Sequence, residues 1–294
     1  MAVVTGGATG IGFEVAAALA SRGFGVVLAS RDTGRAGRAA ARIGNACAVR
    51  LDLASQRSVR DAAAEIGATC DRLDLLINNS GVMEVPYART EDGFELTFAI
   101  NHLGHFALTG LLLDRLQATP GSRVVTVSSN AHRRAVLQLE ETRCERDYDA
   151  ASAYAHSKLA NLLFTYELQT RLSAVRAGTI ALAAHPGVVR TGLWRTSSAL
   201  ERALIRLPWL GHSARAGARP VLQAALDPAA RGGDYFGPSG PFGHTGQPAR
   251  VESSLTSHDA AARRRLWELS EGLTGVKYPD AYAATGPGGP LPPR

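Results

Sequence analysis

The stretch Thr5-Gly6-Gly7-Ala8-Thr9-Gly10-Ile11-Gly12 constrains the fold more than any other. It follows a short apolar run, Val3-Val4, and leads into a helical pattern over 13–21. Glycine lets the backbone turn sharply and approach a ligand. A helix start then offers unpaired N–H groups and the positive end of its dipole. A tight structural turn does not account for glycine at 6, 10 and 12 together; a turn wrapped around a pyrophosphate does.

The chain beyond that turn repeats the same unit. Apolar runs of strand length at 25–29, 46–51, 73–77, 122–127 and 178–184 alternate with helical patterns at 33–43, 55–68, 91–118 and 152–168. Ser55 is placed to cap the helix that follows it. Strands that are apolar on both faces and separated by helices belong to a parallel sheet covered on both sides. A further helix is expected at 215–226, a last strand at 233–236 and a C-terminal helix at 259–273. Leu193, Leu200, Leu204 and Leu207 fall at helical intervals in what reads as a lid over 192–212. The segment 130–151 is polar and reads as an inserted loop, and the Pro/Gly-rich residues 276–294 read as a tail. With no internal repeat, residues 1–275 form one domain.

Composition removes several function classes. The 294 residues carry a net charge of +6, but the basic residues are scattered and show no aromatic-interleaved patch, so no nucleic-acid partner is expected. No apolar run reaches the length of a membrane span, and the N-terminus shows neither a signal peptide nor an anchor. Cys47, Cys70 and Cys144 lack metal-ligand spacing and read as reduced thiols of a cytoplasmic protein. His102, His105, His132, His156 and His185 come with no carboxylate set, so no metal is expected.

At the end of the second strand run stand Ser30, Arg31 and Asp32. A carboxylate at this point suits a ribose 2′-hydroxyl, whereas a guanidinium suits a 2′-phosphate. Arg31 comes first and favours NADP(H), with Asp32 keeping NAD(H) as the second candidate. Tyr154 and Lys158 lie four residues apart, on one face of the helix at 152–168. A cation beside a phenol favours phenolate and should draw the phenol pKa towards working pH.

These pieces resemble the short-chain dehydrogenase/reductase family. The resemblance rests on TGGATGIG at 5–12, the LDL around Asp52, NNSG at 78–81, Asn101, the serine pair at 128–129, YAHSK at 154–158 and PGVVRT at 186–191, in that order. NHLGHF at 101–106 and VVTVSSNAH at 124–132 look like the retinol dehydrogenase and WW-domain oxidoreductase branch.

The resemblance implies a doubly wound, Rossmann-type α/β fold of about seven parallel strands. It also implies hydride transfer between a nicotinamide and a carbonyl or secondary alcohol. Tyr154 would be the general acid or base, Lys158 would lower its pKa and hold the nicotinamide ribose, Ser129 would hold the substrate oxygen, and Asn101 would fix a water linking Lys158 to solvent. The implied cofactor-binding set is Gly6, Thr9, Gly10, Ile11, Gly12, Ser30, Arg31, Asp52, Leu53, Asn78, Ser80, Gly81, Tyr154, Lys158, Pro186, Gly187, Val189 and Thr191. Asp52 would touch adenine, Asn78 and Gly81 would line the adenosine side, and Thr191 would meet the nicotinamide amide.

Two departures stand out. Ser80 replaces the usual alanine, and 25 residues separate Ser129 from Tyr154 where thirteen is commoner; the loop at 130–151 absorbs the difference. Apolar lid positions with Trp194 and Trp209 suggest a lipophilic substrate, and relatives that pair through their long helices suggest a homo-oligomer. A non-catalytic dinucleotide sensor or scaffold is the competing reading, with an isomerase, epimerase or dehydratase relative as a third.

Overall fold

The computed structural model describes residues 1–135, 148–189 and 211–279. Its strands are β1 (Ala2–Thr5), β2 (Val26–Ser30), β3 (Ala46–Arg50), β4 (Leu75–Asn78), β5 (Arg123–Val127), β6 (Ile180–Ala184), β7 (Tyr235–Pro238) and β8 (Pro248–Arg250). They form one sheet in the order β3-β2-β1-β4-β5-β6-β7-β8. All pairs are parallel except β7 with β8. The strand order reverses between β1 and β4, and the crevice beyond their carboxyl ends is where such sheets hold a nucleotide.

Among the described residues the helices of eight residues or more are α1 (Gly10–Ala20), α2 (Thr33–Ile43), α3 (Gln56–Thr69), α4 (Leu96–Gln117), α5 (Ala150–Ala174), α6 (Ala214–Leu226) and α7 (Ala260–Thr274). Several starts are written in the sequence. Asp32, Ser55, Asp149, Ser213 and Asp259 each accept a backbone N–H of the first turn of α2, α3, α5, α6 and α7. Each such cap contributes about 1 kcal/mol. Thr9 precedes α1 and makes no side-chain cap, so the start of that helix keeps its N–H groups for another acceptor.

The sheet has a core on each face. One joins Val3, Val27 and Leu76 to α3, α4, α5 and α7 through Ile66, Phe106, Phe164 and Trp267. The other joins Val4, Leu28 and Val125 to α1, α2 and α6 through Val15, Ala36 and Val221. Helix α4 is apolar and long enough to cross a membrane by composition, yet 72% of its apolar window is buried inside the fold, as befits a core helix.

The structure differs from the sequence reading in several places. The sheet has eight strands. The last, Pro-Ala-Arg, lacks an apolar run and pairs antiparallel on the edge, where proline costs no ladder bond. Helix α4 begins at Leu96 instead of 91, because the Glu95 carboxylate accepts Thr97 N and Phe98 N and starts it there. Its residues Ala99–Leu103 form a π-helical turn. Val276 and Tyr278, assigned to the tail by composition, are buried; Tyr278 packs on Trp267 and Phe106, and its hydroxyl donates to Phe106 O at 2.9 Å. Thr191, the lid helix with Trp194 and Trp209, Cys144 and residues 280–294 lie outside the described residues.

Candidate active site

The glycine turn is built for close approach. Gly6 and Gly10 hold φ of +65° and +57°, a region that side chains disfavour. A Cβ on Gly12 would lie 2.4 Å from Gly6 O and 2.6 Å from Asn79 Nδ2, so only glycine lets α1 start there. Thr5 anchors the turn. Its Oγ1 accepts Asn79 N at 2.9 Å and Ser80 N at 3.0 Å, and also meets His105 Nε2 at 2.9 Å. Asn79 Nδ2 donates to Thr5 O at 2.9 Å. An uncapped helix start, two left-handed glycines and a surface that tolerates no Cβ fit the pyrophosphate of a dinucleotide.

The second asparagine of NNSG therefore holds the turn, and the first does not line the crevice with its side chain. Asn78 is 1% exposed and donates to Thr109 Oγ1 at 3.0 Å and Thr126 Oγ1 at 3.5 Å, tying β4 to α4 and β5. Ser80 sits against the glycine turn: a Cβ on Gly6 would lie 3.2 Å from its Oγ.

At the far end of the crevice, Ser30 pairs in register with Arg50, so Arg31 and Arg50 leave the carboxyl ends of neighbouring strands β2 and β3 together. Asp32 is committed elsewhere, capping α2 through Arg35 N at 2.8 Å. Asp52 Oδ1 accepts Ala54 N at 3.0 Å, which holds its loop in shape. Leu53 is buried, and a Cβ on Gly104 would lie 2.7 Å from its carbonyl oxygen, so it packs on α4.

Helix α5 places Tyr154 and Lys158 on the sheet. Lys158 Nζ lies 5.7 Å from the Tyr154 ring centroid and donates to Val127 O at 3.1 Å. An ammonium has three donors, so two remain for hydroxyls of a bound ribose. Ser128 Oγ donates to Lys158 O at 2.8 Å and is buried, which makes it a strut between β5 and α5. Ser129 and Tyr154 line the same cavity, and Ser129 Oγ accepts Ala131 N at 3.2 Å. The geometry thus separates the two serines, which the sequence does not.

Asn101 lies in the π turn of α4. Its Oδ1 accepts Val82 N at 2.8 Å, and its Nδ2 donates to Val82 O and Ser157 Oγ, each at 2.9 Å. The same turn brings Asn101 Oδ1 and Lys158 Nζ to 3.0 and 3.5 Å from the position a Gly81 Cβ would take. A side chain at Gly81 would therefore press on Asn101 where the three converge.

The electrostatics correct one expectation. Burial pushes the Tyr154 phenol up to about 12; its bond to Ser129 opposes this, and the nearby Glu84 carboxylate adds to it. Burial also pulls the Lys158 ammonium down to about 8. Desolvation of the phenolate is the largest influence on Tyr154, and it runs against the lowered phenol that the four-residue spacing suggests.

A cavity of about 440 Å³ opens beside Ser129 and Tyr154. Pro186, Gly187 and Val189 line it from the loop after β6, with Ile11 opposite. Gly187 is fixed there by φ of +73° and by His244 O, 2.3 Å from where its Cβ would stand. Glu84, Arg133 and Arg134 also line the cavity and were not foreseen. Glu84 follows NNSG by only three residues, which was the available signal.

The histidines are structural in this arrangement. His105 braces Thr5, His102 Nε2 meets Ser270 Oγ at 2.8 Å, and His132 accepts Ser254 N at 3.1 Å. No group of three or more potential ligands for a metal ion is found among the described residues.

The short chain dehydrogenase family model matches residues 1–202. Retinol dehydrogenase 12 of Homo sapiens is 41% identical over 284 residues, covering 94% of this chain and 86% of that protein. Retinol dehydrogenase 14 of Mus musculus is 37% identical over 297 residues, covering 93% and 85%. A crystal structure of a protein from Mycobacterium paratuberculosis is 42% identical with a TM-score of 0.80, covering 95% of this chain and 94% of that one. A short chain dehydrogenase of Burkholderia cenocepacia in complex with NADP is 25% identical with a TM-score of 0.65, covering 80% and 94%.

Proposed function

This chain belongs to the short chain dehydrogenase family, in the branch of the retinol dehydrogenases, and from that premise we propose that it exchanges hydride between NADP(H) and a carbonyl or secondary alcohol of a lipophilic small molecule. It is an oxidoreductase acting on CH–OH groups. The observation that carries the finer reading is the meeting of Ser129, Tyr154 and Lys158 beside a cavity reached from the glycine turn.

The nicotinamide supplies or accepts the hydride when bound. The residues of the chain manage the oxygen. As negative charge builds on a carbonyl oxygen, Ser129 donates a hydrogen bond to it and the Tyr154 phenol gives up its proton. In the reverse direction Tyr154 takes the alcohol proton. Burial keeps the phenol protonated at neutral pH, which is the form the acid role in carbonyl reduction requires. Lys158, fixed by Val127 O, stands where it can hold a ribose hydroxyl and replace the proton through a water near Asn101 and Gly81.

NADP(H) is favoured over NAD(H) by Arg31 beside Arg50 and by the commitment of Asp32 to α2. Met83 and Val188, apolar residues of the cavity outside the implied cofactor-binding set, support a lipophilic substrate body. The test is a panel of retinoid, steroid and aromatic ketones, aldehydes and alcohols with NADPH and NADH, followed at the nicotinamide absorbance. Turnover that disappears in Tyr154→Phe supports the assignment. Cofactor binding without turnover of any carbonyl or alcohol would point to the sensor reading instead.

A further inference from the structure

We propose that the cavity beside Tyr154 takes a carbonyl substrate bearing an anionic group at the end remote from the reacting carbon, and that Arg133 and Arg134 hold that group. The inference rests on the assignment of Tyr154 to the reacting end.

Ser129 is the N-cap of a short 3₁₀ helix, Asn130–Arg134, whose last two residues are the arginines. At about 2 Å of rise per residue, the arginines stand roughly 8 to 10 Å along the chain from Ser129. The segment is pinned on both sides. Asn130 Nδ2 donates to Phe242 O at 2.9 Å and to Gly243 O at 3.2 Å, while His132 meets Ser129 O at 2.6 Å and accepts Ser254 N at 3.1 Å. Arg133 donates to Glu252 O, which uses part of its fork and leaves other donors. Arg133 and Arg134 both line the cavity and are exposed, which places these residues at its rim.

Glu84 lines the same cavity and raises the Tyr154 phenol through its charge, so it acts near the reacting end. Its backbone holds φ of +50°, which keeps the carboxylate on a constrained turn. A carboxylate near the phenol and two guanidiniums on the segment leading away from it polarise the cavity. An anion is repelled from the reacting end and attracted to the rim. An apolar body ending in a carboxylate or phosphate complements this arrangement of charge, and a wholly hydrocarbon substrate does not.

The experiment compares an aryl alkyl ketone carrying a distal carboxylate with its methyl ester. Turnover with NADPH is measured in the unaltered protein, and binding by calorimetry in the NADPH-loaded Tyr154→Phe protein. We expect the carboxylate to be preferred by about fivefold in both, a modest factor because the rim is exposed. The ratio should fall towards one in Arg133→Gln/Arg134→Gln and at 0.5 M salt, with a Debye length of about 4 Å. It should rise in Glu84→Gln, a change of opposite sign that general loosening of the fold would not give. Equal or better binding of the ester overturns the proposal, as does a preference that survives loss of both arginines. Absence of turnover with the preference intact in the binding arm would instead count against the oxidoreductase assignment.

Discussion

Asn101 Nδ2 donates to Ser157 Oγ at 2.9 Å, one residue before Lys158, and so fastens the π turn of α4 to the helix that carries the reacting side chains. The same amide closes a pair of bonds with the backbone of Val82, just beyond Gly81. Position 101 thus holds three elements of the site in register, and its contribution is geometric before it is chemical.

Asn101→Ala removes all three bonds and leaves Val82 N and O without these partners in a part-buried setting. A loss of about 2 to 4 kcal/mol in stability is expected, at 1–3 kcal/mol per stranded group with partial relief by water. Turnover should fall further than the stability loss explains. Ser157→Ala, which removes one of the three, should cost about 1 kcal/mol. Chemical denaturation beside steady-state kinetics on both variants checks this; equal losses in the two would contradict the bridging role.

Lys158→Met should stabilise the protein while ending turnover. Burial lowers the Lys158 ammonium to about 8 from an ordinary 10.5. Below about pH 8 both the folded and unfolded chains carry the proton, and the full burial cost, on the order of 3 kcal/mol, opposes folding. Between about 8 and 10.5 the folded chain alone releases it, and stability rises with pH. The unaltered protein should therefore gain on Lys158→Met across that window as the variant stays level. Thermal melts at pH 7 and pH 10 would show the gap closing.

Acid should unfold this protein through its histidines. Burial holds His102 and His185 down to about 3, and His105 and His132 down to about 4. Above pH 6.5 these rings are neutral in both states and contribute nothing to the pH dependence. Below it the unfolded chain takes up protons that the folded chain refuses, so stability is lost as pH falls from 6.5 towards 4. Each ring contributes up to about 1.4 kcal/mol per pH unit. Urea midpoints at pH 7.5, 6 and 5 measure the slope, and His105→Asn/His132→Asn should flatten it.

The cofactor preference has its own variants. Arg31→Ala should weaken NADPH by tenfold or more while changing NADH little, since only the former carries the 2′-phosphate that a guanidinium fork binds. Arg50→Ala should act in the same direction with a smaller effect, because it starts from the neighbouring strand. Fluorescence titration of both dinucleotides provides the comparison, and parallel losses would remove the phosphate argument.

Oligomeric state is the fifth expectation. The long helices α4 and α5, through which pairing was anticipated, are covered within the same chain by α7: Trp267 stacks on Phe164 and meets Phe106 edge-on, with the Arg171 guanidinium 4.3 Å over its ring. Glu167, paired with Arg171 at 2.9 Å, is buried beneath that cover. A second copy pairing on that side would have to displace this packing, whereas α4 leaves Leu111 37% exposed on another. Trp267→Ala should therefore loosen the fold without changing the mass seen in sedimentation; a change of mass would place the pairing face under α7.

How much of this was legible in the sequence depends on how local the cause was. Helix α2 was read at its observed ends from the Ala/Arg-rich pattern of 33–43, and the structure shows Asp32 and Gly44 capping it there. Lys158 and Tyr154 were legible because four-residue spacing survives any packing of a helix. The π turn was not, since residues 99–103, Ala-Ile-Asn-His-Leu, contain no proline or glycine to mark a break from the helix on either side. Nor was the role of Asn79, because the reason it outranks Asn78 is the approach of Thr5, distant in sequence. The phenol was misjudged for a related reason: a neighbouring cation can be read from spacing, whereas the loss of water around Tyr154 requires the assembled site. Val276 and Tyr278 were misplaced because proline and glycine farther along coloured their whole segment.

The π turn has a further consequence, for insertions and deletions. Its extra residue is a phase shift of about 100° between the two halves of α4. Deleting one residue within 99–103 would let the helix close as an ordinary α-helix, yet rotate everything before it relative to everything after it. Either Asn101 or the Phe106 face of the core would then be turned away. Substitutions that leave the length alone are milder, so evolutionary drift here should run through changes of residue and hardly ever through changes of length.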